Sequence, residues 1–210
     1  GGRPAQHADC CMPPVVVRPD RIKEFPTQAA FAEWLAAHHA AQDEVWIRMF
    51  KKNSGRPTIS QTEAIDVALC WGWIDAIRKS WDDESFVQRF CPRRPKSVWS
   101  RINRDNVERL VREGRMTEHG LLHVRAAQAD GRWDAAYATT MEAPDDLMAA
   151  INASKKARAM YATLSAQNRF ALTFRVLQLK TAAGRAKRIA EFVAMLERGE
   201  TVYPQGKTKP

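Results

Sequence analysis

The chain has 210 residues, which is enough for one domain with a substantial core or for two small ones. It is 45% hydrophobic and 27% charged, as is ordinary for a soluble globular protein, and no apolar run approaches the roughly 18 residues of a membrane-spanning helix. The formal net charge of +9 makes a polyanion one candidate partner, with solvated basic helix faces as the alternative. We therefore expect a soluble, cytoplasmic protein; the sequence indicates no oligomeric state.

The first part of the chain mixes helix and strand patterns. Residues 1–20 are predicted to be a mobile tail and residues 21–95 a small α+β part with a short antiparallel sheet. In "EVWIRMFKK" the apolar residues alternate as in a strand. "WIDAIRKS" and "SFVQRFCP" predict two further strands, joined by the acidic turn "WDDE".

Two helices are predicted in the same part. "PTQAAFAEWLAAHHA" has apolar residues at helical spacing. "SQTEAIDVALCWGW" begins with a capping box of Ser60 and Glu63, in which each residue accepts a hydrogen bond from the other's backbone N–H. Gly72 is expected to end this second helix.

After Pro95 the apolar spacing changes to the helical period. Residues 96–200 are predicted to be a helical part packed on the first, followed by a loose tail at 201–210. Gly114 should close one helix and Thr117 should cap the next. The predicted fold class is α+β, with an all-α C-terminal half.

A basic, proline-braced segment, "QRFCPRRPKSVWSRIN", joins the two parts. Its prolines favour extended backbone, so Arg93 and Arg94 should point to opposite sides. A helix is expected to start at Ser97 or Ser100, and Lys96 and Ser97 come just before this helix, whose free N–H groups attract anions. The segment thus predicts a carboxylate or phosphate site, with Trp99 nearby. The alternative is that the arginines pair with carboxylates such as Asp75.

The stretch "CWGWID" is the second candidate for a site. Trp71 and Trp73 either pack in the core or form a pocket wall that stacks on a flat or apolar ligand. Asp75 follows directly; beside apolar rings it could have a raised pKa and act as a base. We favour the alternative, an ion pair with Arg78 or Arg93 that lowers its pKa.

Other residues suggest no metal or cofactor chemistry. Lys51 lies in "FKKNSGRP", which lacks the P-loop spacing and predicts a solvated hairpin. The cysteines form no C-x-x-C pair and should be reduced thiols; a nucleophilic Cys91 is the alternative. His119 and His123 have the i, i+4 spacing of a metal pair, but no third ligand is evident. No hydrolytic triad can be argued.

Four motifs in order are similar to one known family: "EAIDVALCWGWIDAIRKS", "RFCPRRPKSVWSRINRDNVERLVREGRMTEHGL", "AQADGRWDAAY" and "RAKRIAEFVAML". The chain resembles the bacterial YdeI/OmpD-associated (bacteriocin-protection, OmdA-like) family over roughly residues 25 to 200. Cys91 and Ala76 stand where the family pattern leads us to expect Thr and Gly. The resemblance implies a role associated with protection or resistance, and no established reaction.

Three functions follow, in order of preference. The first is binding of an anionic or aromatic small molecule by Trp71, Trp73, Arg93, Arg94, Lys96, Ser97, Trp99 and Lys51. The second is a metal-independent hydrolase or transferase in which Asp75 or Glu63 is the base and the cations form an anion site. The third is nucleic-acid binding, suggested by residues 147–190, which contain nine Lys and Arg and no acidic residue.

Overall fold

The computed structural model describes residues 15–138 and 141–206, which form two compact units. The first unit runs to Tyr137 and the second begins at Ala138. Most of the predicted N-terminal tail, residues 1–14, and the last four residues of the C-terminal tail lie outside the described residues. No helix in the described ranges is long and apolar enough to cross a bilayer.

A four-stranded sheet forms the centre of the first unit, in the order β1-β2-β4-β3. Its strands are β1 (Ile22–Lys23), β2 (Val45–Phe50), β3 (Trp73–Ser80) and β4 (Ser85–Pro92). The pairs β2–β4 and β3–β4 are antiparallel, as predicted, whereas β1 runs parallel to β2. The sequence analysis missed β1, because two residues are too few to show alternation.

The first unit also contains four α-helices, and two of them begin with the capping residues predicted. They are α1 (Gln28–His38), α2 (Gln61–Cys70), α3 (Arg101–Arg112) and α4 (Glu118–Ala129). At α2 both hydrogen bonds of the capping box between Ser60 and Glu63 are present. At α4 the Thr117 hydroxyl accepts from the Gly120 N–H. The α+β assignment is confirmed.

The start of α4 packs directly on the end of α2. The Thr117 hydroxyl donates to the Cys70 carbonyl at 2.6 Å. Gly120 faces the same carbonyl so closely that an added Cβ would clash with it and would lie 2.7 Å from the Leu69 carbonyl oxygen. Because a glycine permits this approach, α4 presents its histidines to the turn that follows α2.

The first unit has two clusters of buried apolar residues. One lies between the sheet and the helices α1 and α2 and includes Phe31, Leu35, Ile47, Trp73 and Phe90. The other lies among α2, α3 and α4 and includes Leu69, Trp99, Val107, Leu110 and Trp133. Because α2 contributes to both, its C-terminal end lies where the two clusters meet.

The second unit consists of helices, as predicted. They are α5 (Asp145–Ala153), α6 (Lys155–Ala162), α7 (Ala166–Leu177) and α8 (Ala182–Glu197). Ile189, Phe192 and Leu196 of the predicted α8 stripe are buried. In the segment predicted as a loose tail, the Tyr203 N–H and the Gln205 side chain hydrogen-bond to the buried Asn168 side chain.

Candidate ligand-binding site

A cavity of about 160 Å³ lies against Gly72, at the turn between α2 and β3. Gly72 has φ +72°, the left-handed conformation that ends a helix without steric cost to glycine. We call this cavity the Gly72 pocket. Rings form much of its wall, contributed by His39, Trp71, Trp73, Pro92, His119 and His123.

Three rings of the Gly72 pocket form one contiguous group. The rings of His39 and His119 are 4.1 Å apart between centroids. Trp71 is nearly parallel to His119, at 5.8 Å and 14°, and lies 4.9 Å from His39. The Nδ1 atom of His39 lies 3.0 Å from the Leu35 carbonyl, which can only accept, so this nitrogen donates and Nε2 is an acceptor. The group offers both a flat face and imidazole nitrogens.

Arg93 contacts the turn between α2 and β3 through its backbone. Its backbone N–H donates to the Gly72 carbonyl at 2.9 Å. The side chain is 6% exposed by residue, its guanidinium carbon lies 3.7 Å from the Trp99 ring centroid, and Nη2 donates to the Val98 carbonyl. Burial lowers the Arg93 pKa to about 10. Among the described residues no carboxylate lies within ion-pair distance, 4.0 Å, of this guanidinium.

Asp75 is half-buried on β3, opposite Phe90 of β4. Burial raises the pKa of its carboxyl, and the charges of Arg93 and Arg78 offset part of that rise. The favoured ion pair of Asp75 is therefore wrong: no such pair occurs within the described ranges, and Arg78 instead donates to Gln88. The role of Asp75 as a base stays a prediction.

His123 and Tyr137 also belong to this region, and the sequence analysis assigned neither to it. Burial lowers the pKa of the His123 imidazole, helped by the positive charges of Arg93 and Arg132. Burial raises the pKa of the Tyr137 hydroxyl, against the opposing charge of Arg93. The lowered pKa favours the neutral form of His123, which lines the Gly72 pocket and can accept or donate a hydrogen bond there.

The residues predicted for a helix-start anion site are arranged differently. α3 begins at Arg101, with Ser100 as its cap, so Lys96 and Ser97 precede the helix by several residues. Arg94 and Lys96 are exposed. The Ser97 carbonyl accepts from Arg132 at 2.8 Å, while the Ser97 hydroxyl is buried without a hydrogen-bond partner among the described residues. The helix starts at Ser100, one of the two positions expected, and Lys96 and Ser97 are therefore separated from its free N–H groups.

Two other candidates lie away from the Gly72 pocket and have structural contacts. Glu63 closes the capping box, and hydrogen bonds from Ser60 lower its pKa, which weakens it as a base. Lys51 is exposed and its Nζ donates to the Asp83 carbonyl at 2.8 Å. Trp73 and Trp99 are both almost fully buried, and of these Trp73 contributes to the pocket wall.

The i, i+4 spacing of the two histidines on α4 was visible in the sequence, but the residue that joins them in the pocket, His39, was not. His119 and His123 share a helix face, and His39 joins them from the end of α1. No group of three or more His, Cys, Asp or Glu suited to a metal ion occurs in the part of the chain described here. The linear pattern contains no link between His39 and α4, because the two are eighty residues apart in the chain.

Family comparisons treat the two units separately. Residues 140–199 match the model described as "Bacteriocin-protection, YdeI or OmpD-Associated". This part of the chain is therefore similar to the YdeI/OmpD-associated family. Residues 23–123 match a different model, described as a domain of unknown function (DUF8412). Comparisons with curated proteins and with solved structures found no match.

The residues that match the YdeI/OmpD-associated model lie in the helical second unit. The resemblance seen in the sequence is therefore confirmed there, while its first motifs lie in residues that match the DUF8412 model. The Gly72 pocket is also within those residues. The family description thus applies to one unit, and the candidate site lies in the other.

The basic stretch of residues 147–190 is partly neutralised by ion pairs. Arg185 pairs with Asp146 and Arg188 with Glu191, at 2.5 and 3.0 Å. The other seven cations of this stretch are exposed: Lys155, Lys156, Arg158, Arg169, Arg175, Lys180 and Lys187. Ser154, which precedes the lysines of α6, hydrogen-bonds to Glu197 at the end of α8, whereas Lys187 is in the first half of α8. Lys155 and Lys156 are thus near one end of α8 and Lys187 is near the other, and nucleic-acid binding stays a prediction.

Proposed function

We propose that this chain is a small-molecule-binding protein whose ligand, a small aromatic or anionic compound, is held in the Gly72 pocket. The observation that carries the proposal is the convergence of His39, Trp71 and His119, from three separate helix ends, on one cavity. The parallel faces of Trp71 and His119 suit stacking on a flat ring. The imidazole nitrogens supply hydrogen-bonding groups for a polar substituent of the ligand: His39 Nε2 accepts, and the nitrogens of His119 and His123 can donate or accept.

The surroundings of the pocket support an anionic group on the ligand. Arg93 is a buried cation without a described carboxylate partner, and its charge reaches His123 in the pocket wall. A cation in a partly desolvated position attracts an anion more strongly than one in water. A ligand that places a carboxylate near His123 would gain from this field.

The volume restricts the size of the ligand. At about 160 Å³ the pocket is smaller than the roughly 300–1,000 Å³ of sites for drug-sized molecules. A single aromatic ring with one acidic substituent is the class that fits best. We also propose that binding of this ligand has a protective role, because the family model that matches residues 140–199 is described as bacteriocin protection.

The test is a thermal-shift and calorimetric titration with benzoate, indole and inorganic phosphate. His119→Ala removes an exposed ring that forms one face of the pocket, so this variant should fold. Trp81→Leu removes an exposed aromatic from the β3–β4 turn and is the matched control. We expect benzoate to stabilise the wild type and Trp81→Leu and to have little effect on His119→Ala. No stabilisation of the wild type by any probe, or equal shifts in both variants, would contradict the proposal.

One observation favours a second function, an enzyme that acts on the bound molecule. Burial raises the pKa of Asp75, which brings a carboxyl closer to the range of a general acid or base. The activity would be hydrolysis or transfer without a metal. Ester hydrolysis of p-nitrophenyl acetate should then be lost in Asp75→Asn and retained in Glu63→Gln. If the wild type shows no turnover, or both variants keep it, Asp75 is not a catalytic residue.

A further inference from the structure

A cavity of about 500 Å³ lies within the helical second unit. Its wall is formed by residues 141–143, which precede α5, by the end of α6 and by one side of α7. We call it the Arg169 cavity. We propose that it binds one nucleotide, with the base stacked on its aromatic rings and the phosphate held by Arg169.

Two partly exposed aromatic rings, those of Tyr161 and Phe170, contribute to the wall of the Arg169 cavity. Phe170 stacks on Phe174, with ring centroids 5.6 Å apart and ring planes 17° apart. This contact fixes the orientation of the Phe170 ring within α7. Proteins bind bases of every type by stacking them on aromatic side chains, because each base has a flat π face.

Arg169 supplies an accessible cation at the same cavity. Its guanidinium carbon lies 5.3 Å from the centroid of the Tyr161 ring, and its Nη2 donates to the Ala162 carbonyl at 2.8 Å. The side chain is exposed and makes no ion pair with any carboxylate of the described residues. Its Nε and Nη1 atoms donate to no described residue, so both can donate to the oxygens of a phosphate.

The charges near the Arg169 cavity favour an anion. Arg158 is exposed and comes three residues before Tyr161, so the two side chains share a face of α6. Arg158 makes no ion pair within the described ranges. Residues 147–190 contain nine Lys and Arg and no acidic residue, so a phosphate near α6 and α7 enters a positive field.

Glu142 separates a nucleotide from a simple aromatic acid. Of the described residues that line the cavity it is the only acidic one, and its carboxylate has no hydrogen bond or ion pair with another described residue. A carboxylate can only accept hydrogen bonds, and the amino groups of bases and the hydroxyls of ribose can donate them. Benzoate has no such donor, whereas a nucleotide has a ring, donors and a phosphate.

The size of the Arg169 cavity agrees with this class of ligand. A volume of about 500 Å³ falls within the roughly 300–1,000 Å³ of sites for drug-sized molecules. The Gly72 pocket, at about 160 Å³, has room for a single ring only. A base, a sugar and a phosphate together need the larger space.

The experiment is isothermal titration of the whole chain at low ionic strength with two sources of the nucleotide. One arm uses AMP, GMP, CMP and UMP, and the other uses a short single-stranded oligo(dT). Arg169→Gln should weaken binding about tenfold, through the loss of charge-assisted hydrogen bonds to the phosphate. Arg175→Gln is the matched control and should bind as the wild type does. Arg175 is also exposed on α7 and lies 5.8 Å from a tyrosine ring, that of Tyr203, but it does not line the cavity.

A second pair of variants tests the stacking. Tyr161→Leu removes a ring from the cavity wall but keeps an apolar side chain, and it should weaken binding about fivefold. Tyr203→Leu is its control and should have no effect. Inorganic phosphate, which lacks a base, should bind far more weakly than AMP. His119→Ala alters only the Gly72 pocket in the first unit and should leave nucleotide binding unchanged.

The two arms identify the source of the nucleotide. Binding of a mononucleotide that is weakened in Arg169→Gln and not in Arg175→Gln supports a free nucleotide as the ligand. The same difference seen only with oligo(dT) supports a nucleic-acid strand. Circular dichroism verifies that each variant folds, and if Tyr161→Leu does not fold, the pair of arginine variants decides.

Four results would overturn the proposal. They are no heat of binding with any mononucleotide or with oligo(dT), equal affinities in Arg169→Gln and Arg175→Gln, phosphate binding as tight as that of AMP, and loss of binding in His119→Ala. The last would place the nucleotide in the Gly72 pocket instead.

Discussion

Gly72 and His123 pack against each other so closely that a Cβ atom on Gly72 would lie 2.6 Å from His123 Cδ2. The same Cβ would lie 3.0 Å from the His119 carbonyl oxygen. Gly72 therefore meets two separate constraints, its left-handed backbone and the approach of α4. Together they hold the wall of the pocket in place.

The first prediction separates these two constraints at Gly72. Gly131 also has a left-handed backbone, φ +80°, but a Cβ there would meet nothing within 4 Å. Gly131→Ala should therefore lose about 1–2 kcal/mol of stability from backbone strain alone. Gly72→Ala should lose about 1–3 kcal/mol more, because α4 must also shift. Urea-induced unfolding measures the free energy of unfolding of both variants. Equal losses of stability would show that α4 can move away from residue 72 at no cost.

The second prediction concerns Gly120, where helix propensity and packing oppose each other. In an exposed helix interior, Gly→Ala is expected to stabilise by about 1 kcal/mol. Here the new Cβ would meet the backbone carbonyls of Leu69 and Cys70, which cannot rotate away. Gly120→Ala should therefore destabilise the protein by about 1–3 kcal/mol. A thermal melt that shows stabilisation would contradict the close approach of α4 to α2.

The third prediction follows from the raised pKa of Asp75. A carboxyl whose pKa is raised on folding contributes stability below its ordinary value of 3.8, and this contribution is lost as the pH rises through the folded-state pKa. At neutral pH the ionised Asp75 is thus destabilising. Asp75→Asn should be at least as stable as the wild type at neutral pH, and its advantage should disappear in acid. A less stable Asp75→Asn at neutral pH would show instead that the carboxylate is paired.

The fourth prediction concerns His123, whose pKa is lowered by burial and by nearby arginines. Below the ordinary imidazole value of 6.5, the unfolded chain takes up a proton more readily than the folded one, so stability falls as the pH falls. His123→Gln should remove this part of the acid sensitivity. His119→Gln, an exposed imidazole on the same helix, is the control and should keep it. Chemical unfolding across this pH range compares the three proteins.

The fifth prediction tests the role of Glu63 at the start of α2. Because Glu63 and Ser60 satisfy each other's backbone N–H groups, Ser60→Ala should cost about 1 kcal/mol of stability. Glu63→Gln keeps the hydrogen-bonding shape and should cost less. Neither change should alter benzoate binding at the Gly72 pocket. Loss of binding in Glu63→Gln, with the fold intact, would restore Glu63 as a site residue.

The sequence by itself determined the local structure, because its causes are local. Alternation marked β2, a capping box marked the start of α2, and a glycine marked its end. The α+β order and the helical second unit followed from these patterns. The two-residue strand β1 was not predicted, because only its pairing with β2 defines it as a strand.

Only the tertiary structure decided which of the candidate residues meet. Arg93 and Arg94 are neighbours in sequence, yet one is buried on Trp99 and the other is exposed. His39 reaches His119 because α4 packs on the end of α2 through Gly120. Burial and long-range contact decide whether a side chain is desolvated, paired or free to bind. These depend on how distant segments pack, and no linear spacing encodes them.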